Sequence, residues 1–367
     1  MKPTRVLFLL KKRGEYYNPH HPPHPPHPPH PPHPNQAIAS TLQGWPFTNW
    51  TGLRNSVAYV VDLLQTLGIE AAFERLDDDN SIDRAVTQFQ PTHAIIEALW
   101  VRPEKLKLLT RLHPQIRWNV RMHSEVPFLS NEGIAIEWLF AYLQSPHVTI
   151  SANSLRAEDD FEAIFKKKIP YTPNFYPLFP LEPRKGLPAD NVIDIGCFGA
   201  IRPMKNQLMQ AVAAIDWANS HQRQIRFHIN SDRIEMGGAQ VLKNIRALFR
   251  NVKPSHTLVE HPWMDRADFM KLVRLMDLGM QVSYSETFNI VSADFAVANV
   301  PLVVSPEVSW VAKMFQADPN SRIDIVHKLN VAWAGRHEDL QKLNYAGLQA
   351  YDAASEVAWP QALMEMQ

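Results

Sequence analysis

Hydrophobic positions in this chain fall into short segments whose period switches between two values. Residues 5–10 are continuously apolar after Arg5, as expected of a parallel strand buried on both faces. Val57, Val60, Val61, Leu64 and Leu67 then recur at helical spacing, and Gly68 closes that stretch. Further strands are predicted over 69–73, 92–101, 116–122 and 148–151. Helices are predicted over 81–89, 103–112 and about 133–143, the second opened by Pro103. Strand and helix alternate throughout, which predicts a doubly wound parallel sheet.

Residues 166–188 break the alternation. Prolines at 170, 173, 177, 180, 183 and 188 make this stretch a stiff, irregular crossover, read as an interdomain linker. Beyond it the pattern restarts, with strands over 192–198, 225–230, 257–260, 278–283 and 302–305. Helices are predicted over 206–219, 239–249 and 265–276, and an amphipathic tail from about Glu338. The predicted organisation is therefore an N-terminal domain over 1–170, a linker over 171–188, a second domain over 189–345, and a terminal helix over 346–367 that can return to the first domain.

Composition changes this picture little. A chain of 367 residues with 45% hydrophobic and 20% charged residues has material for two cores. Lys plus Arg and Asp plus Glu are both 37, so no net field draws the chain to nucleic acid or an anionic membrane. Cys197 is the single cysteine, which fits a reducing, cytoplasmic setting, and no apolar run is long enough to span a bilayer. Residues 19–34 carry a Pro-Pro-His repeat that favours an extended polyproline rod projecting after the first strand. No phosphate loop, dinucleotide fingerprint, zincin motif or paired Cys-x-x-Cys occurs.

Two stretches of the second half carry candidate chemistry. In 283–301, a strand end runs through a polar loop into a short helix. Glu286 lies on the loop, Asn289 at the N-cap and Asp294 on the helix. A helix N-terminus offers unpaired amides and a partial positive charge, which suits a phosphate, and flanking carboxylates suit hydroxyl groups. In 196–206, Gly199 permits a tight strand exit, and Arg202 and Lys205 stand at a helix entry. Cations there oppose the helix dipole unless an anion joins them.

Together, the G-x-x-R-P-x-K-N run and the S-x-S-E-T-F-N-I-V-x-x-D run some 80 residues later resemble the group 1 retaining glycosyltransferases of GT-B fold. That resemblance implies two Rossmann-like domains facing a cleft, Arg202 and Lys205 on the donor diphosphate, Glu286 on the transferred sugar and Asp294 on the ribose. It implies that the backbone of Phe288, Asn289 and Ile290 meets sugar and phosphate, and that Gly199 and His261 line the donor side. Two departures stand out: Asn289 where the family has Gly, and Asp294 where it has Glu. His123 corresponds to a histidine near the reacting carbon. Gly52, Arg54, Asn55, Glu125 and Asn153 fall on the acceptor side, and Trp263 is placed to flank the nucleotide.

The implied reaction moves a hexose from a UDP- or GDP-sugar to an acceptor hydroxyl, with retention. It needs no metal or other cofactor, because Arg202, Lys205 and the helix N-terminus would stabilise the leaving diphosphate; His123 and Glu286 are the other catalytic candidates. The whole sequence is also similar to bacteriophage-encoded glycosyltransferases, so a hydroxymethylated DNA base is the leading alternative acceptor. Arg54, Arg117 and Arg121 form an expected basic cluster that favours an anionic one. A nucleotide-sugar epimerase and an inactive sugar-nucleotide-binding protein of the same fold are the other readings.

Overall fold

The computed structural model describes residues 3–12, 52–252 and 254–366, except 182, 184, 185, 187, 189 and 190. The Pro-Pro-His tract and residues 49–51 of the first-helix entry lie outside the described residues. Ten strands form two parallel five-stranded sheets among the described residues. The first holds β1 (Arg5–Lys11), β2 (Glu70–Leu76), β3 (His93–Glu97), β4 (Arg117–Met122) and β5 (Val148–Ala152), in the order β2-β1-β3-β4-β5. The second holds β6 (Val192–Gly196), β7 (Gln224–Asn230), β8 (His256–His261), β9 (Leu278–Gln281) and β10 (Leu302–Val304), in the order β10-β9-β6-β7-β8. Strand order therefore reverses between β1 and β3 in one sheet and between β6 and β9 in the other. Ligands of such sheets sit outside the carboxyl ends at these reversals.

The helices of the first half are α1 (Gly52–Thr66), α2 (Ile82–Phe89), α3 (Pro103–Leu112), α4 (Val126–Leu129), α5 (Ala135–Leu143) and α6 (Leu155–Phe165). Those of the second are α7 (Gln207–Ser220), α8 (Gly238–Val252), α9 (Arg266–Arg274), α10 (Ile290–Val297), α11 (Arg322–Gly335) and α12 (Lys342–Glu365). β3 stops at Glu97, short of the predicted end, because Ala98 adopts a left-handed φ of 67° that no strand continues. The sequence pattern passed over α6 and α11. Trp333 of α11 packs edge-on to Trp217 of α7, and Trp217 donates to Asn330 at 2.9 Å, so this helix presents polar and apolar groups to one neighbour and hides its periodicity.

The proline-rich crossover is buried along its first half rather than solvated. Prolines lack an amide hydrogen, so the segment's remaining polar groups need partners from outside. Thr172 N–H donates to Ala152 O at the end of β5. Arg121 donates to Thr172 O, Pro173 O and Asn174 Oδ1 at 2.8–3.0 Å, and Trp359 Nε1 donates to Pro173 O at 2.9 Å. Trp359, Ala362 and Leu363 of α12 join Val6, Phe8 and Val60 in one core cluster, so the last helix ends against β1 and α1.

The same helix places Asp352 under the crossover, where its Oδ1 accepts from Tyr176 N–H at 3.1 Å. Its other oxygen is buried without a partner, and burial pushes the carboxyl up to about 8, with the Tyr176 amide pulling the other way. The folded chain thus holds a proton that the unfolded chain releases at ordinary carboxylate pH. The associated stability is present in acid and lost as pH rises through the folded value. We expect the melting temperature to fall between about pH 4 and about pH 8, and Asp352→Asn, which retains an acceptor for Tyr176, to flatten that slope. An unchanged slope in the variant would assign the dependence to another group.

Candidate functional site

The site is built where β6 and β9 lie side by side at the reversal of the second sheet. Gly196 and Gly279 are register partners on these strands. A Cβ at Gly279 would lie 2.7 Å from the Phe295 ring, and one at Gly196 would lie 2.9 Å from it. Two adjacent glycines therefore let α10 settle directly on the sheet, with Phe295 stacked on Phe198 at 6.0 Å. This fixes the N-terminus of α10 above the strand ends.

Asn289 caps that helix. Its Oδ1 accepts from Ser292 N–H at 2.9 Å, and its Nδ2 donates to Gln281 Oε1 at 3.0 Å. It does so at φ 61°, in the left-handed region. Asparagine is among the few non-glycine residues that tolerate this conformation, so the turn that glycine would make survives the replacement. Phe288 turns its ring into the core, 5.0 Å from Tyr351, and its carbonyl accepts from Trp310 Nε1. The amides of Ile290 and Val291 open α10 and lie outside its hydrogen-bond ladder.

Lys205 reaches this region because two loops are stitched together. The run after Gly199 forms a tight turn over Pro203–Lys205, and α7 starts only at Gln207. Asn206 Nδ2 donates to Val282 O, Gln210 Oε1 accepts from Val282 N–H, and Tyr284 N–H donates to Met204 O. These bonds bring Lys205 Nζ onto Glu286 Oε1 in a short, largely buried ion pair. Burial pushes the Lys205 ammonium down, with Arg202 adding to it and Glu286 opposing. Burial alone would raise the Glu286 carboxyl, but Lys205 and Arg202 hold it below its ordinary value. Arg202 lies over the Phe128 ring of α4 at 4.9 Å and reaches Glu235 at only 3.4 Å, and its Nε–H is buried without a partner.

Beside this cluster is a pocket lined by Gly199, Asn230, Trp263, Ile290 and Asp294, with Gly52 and Asn55 of α1 on the facing wall. Gly199 has φ 118°, a conformation that favours glycine, and its amide donates to Asn230 Oδ1 at 3.0 Å. Trp263 is held from behind: its amide donates to Asp232, and Arg233 lies 4.6 Å from its ring centroid. Asp294 is 1% exposed, and its Oδ1 takes both Arg266 at 2.6 Å and the Tyr176 hydroxyl at 2.7 Å. Arg266 and Asn230 line the pocket, and Tyr176 is buried behind Asp294; sequence reasoning named none of the three.

In the first domain, His123 stands at the end of β4. Its Nε2 makes a short hydrogen bond to Glu97, and its Nδ1 lies 3.2 Å from Asn153 Nδ2. Asn153 crosses the cleft to Thr287 Oγ1 at 3.1 Å, beside Glu286.

Three expected groups stand apart from the pocket and the Lys205–Glu286 cluster. His261 is not among the pocket residues; it bonds His228 at 2.9 Å, within a chain that runs from His228 to Asp194. Glu125 is 1% exposed and turned inward, holding Ser154 at 2.5 Å and Arg156 at 3.0 Å. Arg156 in turn bridges the cleft to Glu307 at 2.7 Å and to the Glu286 carbonyl at 3.2 Å. The basic cluster is also dispersed. Arg121 is fully buried against Glu97 and the crossover, Arg117 sits at the opposite end of β4, and Arg54 lies in the first turn of α1.

No protein-family model and no curated protein matches the sequence. Solved structures do match, over 78–100% of the chain. The N-terminal domain of Candida albicans trehalose-6-phosphate phosphatase superposes with a TM-score of 0.64 at 10% identity, covering 98% of this chain and 96% of that one. Sucrose-phosphate synthase from Thermosynechococcus elongatus gives 0.58 at 16% identity, over 78% and 77% of the two chains. A glycosyltransferase from Rickettsia africae gives 0.56 at 10% identity, over 100% and 98%.

The fold is GT-B.

At these identities the likeness carries the fold alone. Within this GT-B chain, the cluster and the pocket both open on the carboxyl ends of the second sheet. Among the described residues, no helix is long and apolar enough to cross a membrane.

The Asn289 turn generates a direct test. Asn289→Gly keeps the backbone conformation and is expected to cost only a few tenths of a kcal/mol in chemical denaturation. Asn289→Ala loses the cap and forces an alanine into the left-handed region, and is expected to cost about 2 kcal/mol. Equal losses for the two variants would show that the left-handed turn does not set the stability here.

Proposed function

We propose that this chain is a retaining glycosyltransferase that moves a hexose from a nucleotide-sugar donor to an acceptor hydroxyl. The observation that carries the reading is the buried Lys205–Glu286 pair beside Arg202, whose Nε–H has no partner, at the reversal point of the second sheet. Cations gathered at strand ends beside a helix N-terminus suit a diphosphate. The solved structures of like fold include a trehalose-6-phosphate synthase described in terms of transfer with retention and a TarM complex that contains UDP.

In this reading the diphosphate lies between Arg202, Lys205 and the first amides of α10. Loss of the nucleoside diphosphate places negative charge where these groups already point, so its stabilisation needs no reorganisation. Glu286, released from full pairing with Lys205 as phosphate takes over that ammonium, accepts from hydroxyls of the transferred sugar. The nucleoside occupies the Trp263–Asn230 pocket, with Asp294 toward the ribose. His123 and Asn153 face the sugar from the other domain, and Gly52, Arg54 and Asn55 border the acceptor path. Charge neutralisation by side chains makes the reaction metal-independent, so turnover is expected to persist in EDTA.

The test is consumption of radiolabelled UDP- and GDP-hexoses, with and without candidate acceptors. Lys205→Ala and Glu286→Ala are each expected to lower turnover by about 100-fold or more, the scale of removing one preorganised charge-stabilising group. Wild-type turnover in both variants would overturn the assignment. Donor converted to an isomeric sugar without acceptor would replace transfer by epimerisation.

A further inference from the structure

We infer that Glu97 is a positioning residue for His123, fixing the imidazole with its Nε2–H toward β3 and leaving Nδ1 as the hydrogen-bond acceptor on the cleft side. The inference rests on the transfer reading above and adds to it a residue with no contact to the cleft. Glu97 is the last residue of β3 and is 1% exposed, while the His123 side chain retains 15% exposure at the end of the neighbouring strand. Parallel registry places Glu97 opposite Arg121, two residues before His123, so one carboxylate meets both side chains.

An ionised carboxylate can only accept hydrogen bonds, so any ring nitrogen touching it must carry a proton. Arg121 Nη1 lies 3.4 and 3.3 Å from the two Glu97 oxygens and favours the ionised form. Arg121 is otherwise spent on the carbonyls of Thr172 and Pro173, on Asn174 and on the Trp359 ring at 5.1 Å. Pairing with Arg121 explains a buried acid at Glu97; it does not explain the short bond to His123.

The consequence appears on the other edge of the ring. With Nε2 protonated and the imidazole neutral, Nδ1 offers a lone pair toward Asn153, whose Nδ2 lies 3.2 Å away. Asn153 is itself 1% exposed, and its Oδ1 is buried with no partner. Nδ1 and this carbonyl oxygen are thus two acceptors next to Thr287, on the loop that carries Glu286. The opposite tautomer would aim an N–H at the Asn153 amide nitrogen instead of a lone pair, so the ring state fixed by Glu97 sets how Asn153 is held beside Thr287.

The experiment uses the full chain labelled with ¹⁵N-histidine, read by two-bond ¹H–¹⁵N correlation, with His123→Ala to assign the signal. The wild type is expected to show His123 as the Nε2–H tautomer. Glu97→Gln presents an amide that can either donate or accept, so both tautomers should appear. Its kcat should fall by roughly 10-fold or more, the scale of losing an outer-shell partner, while donor KM changes little. Glu97→Asp should restore part of both. If folded Glu97→Gln keeps one tautomer and wild-type kcat, losing only thermal stability, Glu97 is merely the counter-ion of Arg121 and the inference is wrong.

If Glu97→Gln does not fold, Glu97→Met with Arg121→Met removes both charges and keeps the volume. A persistent pure Nε2–H signal there would also overturn the inference. The tautomer readout requires no turnover. A wild type that shows the expected tautomer but consumes no donor sugar would therefore sink the transfer reading and leave the ring-positioning role standing.

Discussion

Two loops that leave neighbouring parallel strands must meet above the sheet, and most of the second domain is arranged around making them meet. The meeting point is the Lys205–Glu286 ion pair. A buried pair of this kind is weak evidence for stability, because taking both charges out of water offsets much of their attraction. Removing one partner is a different matter and leaves an uncompensated charge in a poor dielectric. The protein meets that constraint with geometry. Asn206 and Gln210 lock the first loop to Val282, and Gly196 with Gly279 lets α10 sit low enough for the second loop to reach. A pair held this firmly is preorganised by its surroundings.

The first domain solves a related problem with the opposite connection. There the buried charge is Glu97, and its main cation, Arg121, is anchored on the carbonyls of the crossover rather than on a loop at the cleft. Prolines stripped that segment of donors, which left carbonyls to be satisfied, and a fully buried guanidinium with a rigid fork of donors satisfies several at once. The same guanidinium thereby ties the path of the linker to the strand that carries His123. The two charge clusters are joined across the cleft by Asn153 to Thr287 and by Arg156 to Glu307. At the cleft the two halves therefore meet through polar bonds, while Tyr59 of α1 joins the second half's buried cluster away from them.

What the sequence made legible follows from what periodicity and spacing can encode. Strand–helix alternation specified two parallel sheets, since continuous apolar runs such as 6–10 belong to strands buried on both faces. The RPMKN and SETFN runs placed Arg202, Lys205 and Glu286 at strand ends, and strand order brought them together. Glu97 was not legible. A lone acid in an apolar strand announces a buried partner, but nothing local says that the partner is Arg121 on the next strand, with His123 sharing it. The orientations of Glu125 and His261 were not legible for the same reason. Both sit beside plausible site residues in sequence, and which way each side chain turns is decided by Arg156 and His228, which are distant in the chain.

The two positions where this chain departs from the family it resembles have unequal physical consequences. Asn289 changes little, because it adopts the left-handed turn and adds a cap that glycine could not supply. Asp294 changes more. Its side chain, one methylene shorter than glutamate, bonds Arg266 and the Tyr176 hydroxyl, and Tyr176 belongs to the crossover. Tyr176 in turn packs edge-on to Tyr59 of α1, at 5.7 Å. The acid on the pocket wall is therefore part of a buried knot that contains the linker and the first domain's opening helix. One carboxylate thus ties the pocket wall to the crossover and, through Tyr176, to the first domain's opening helix.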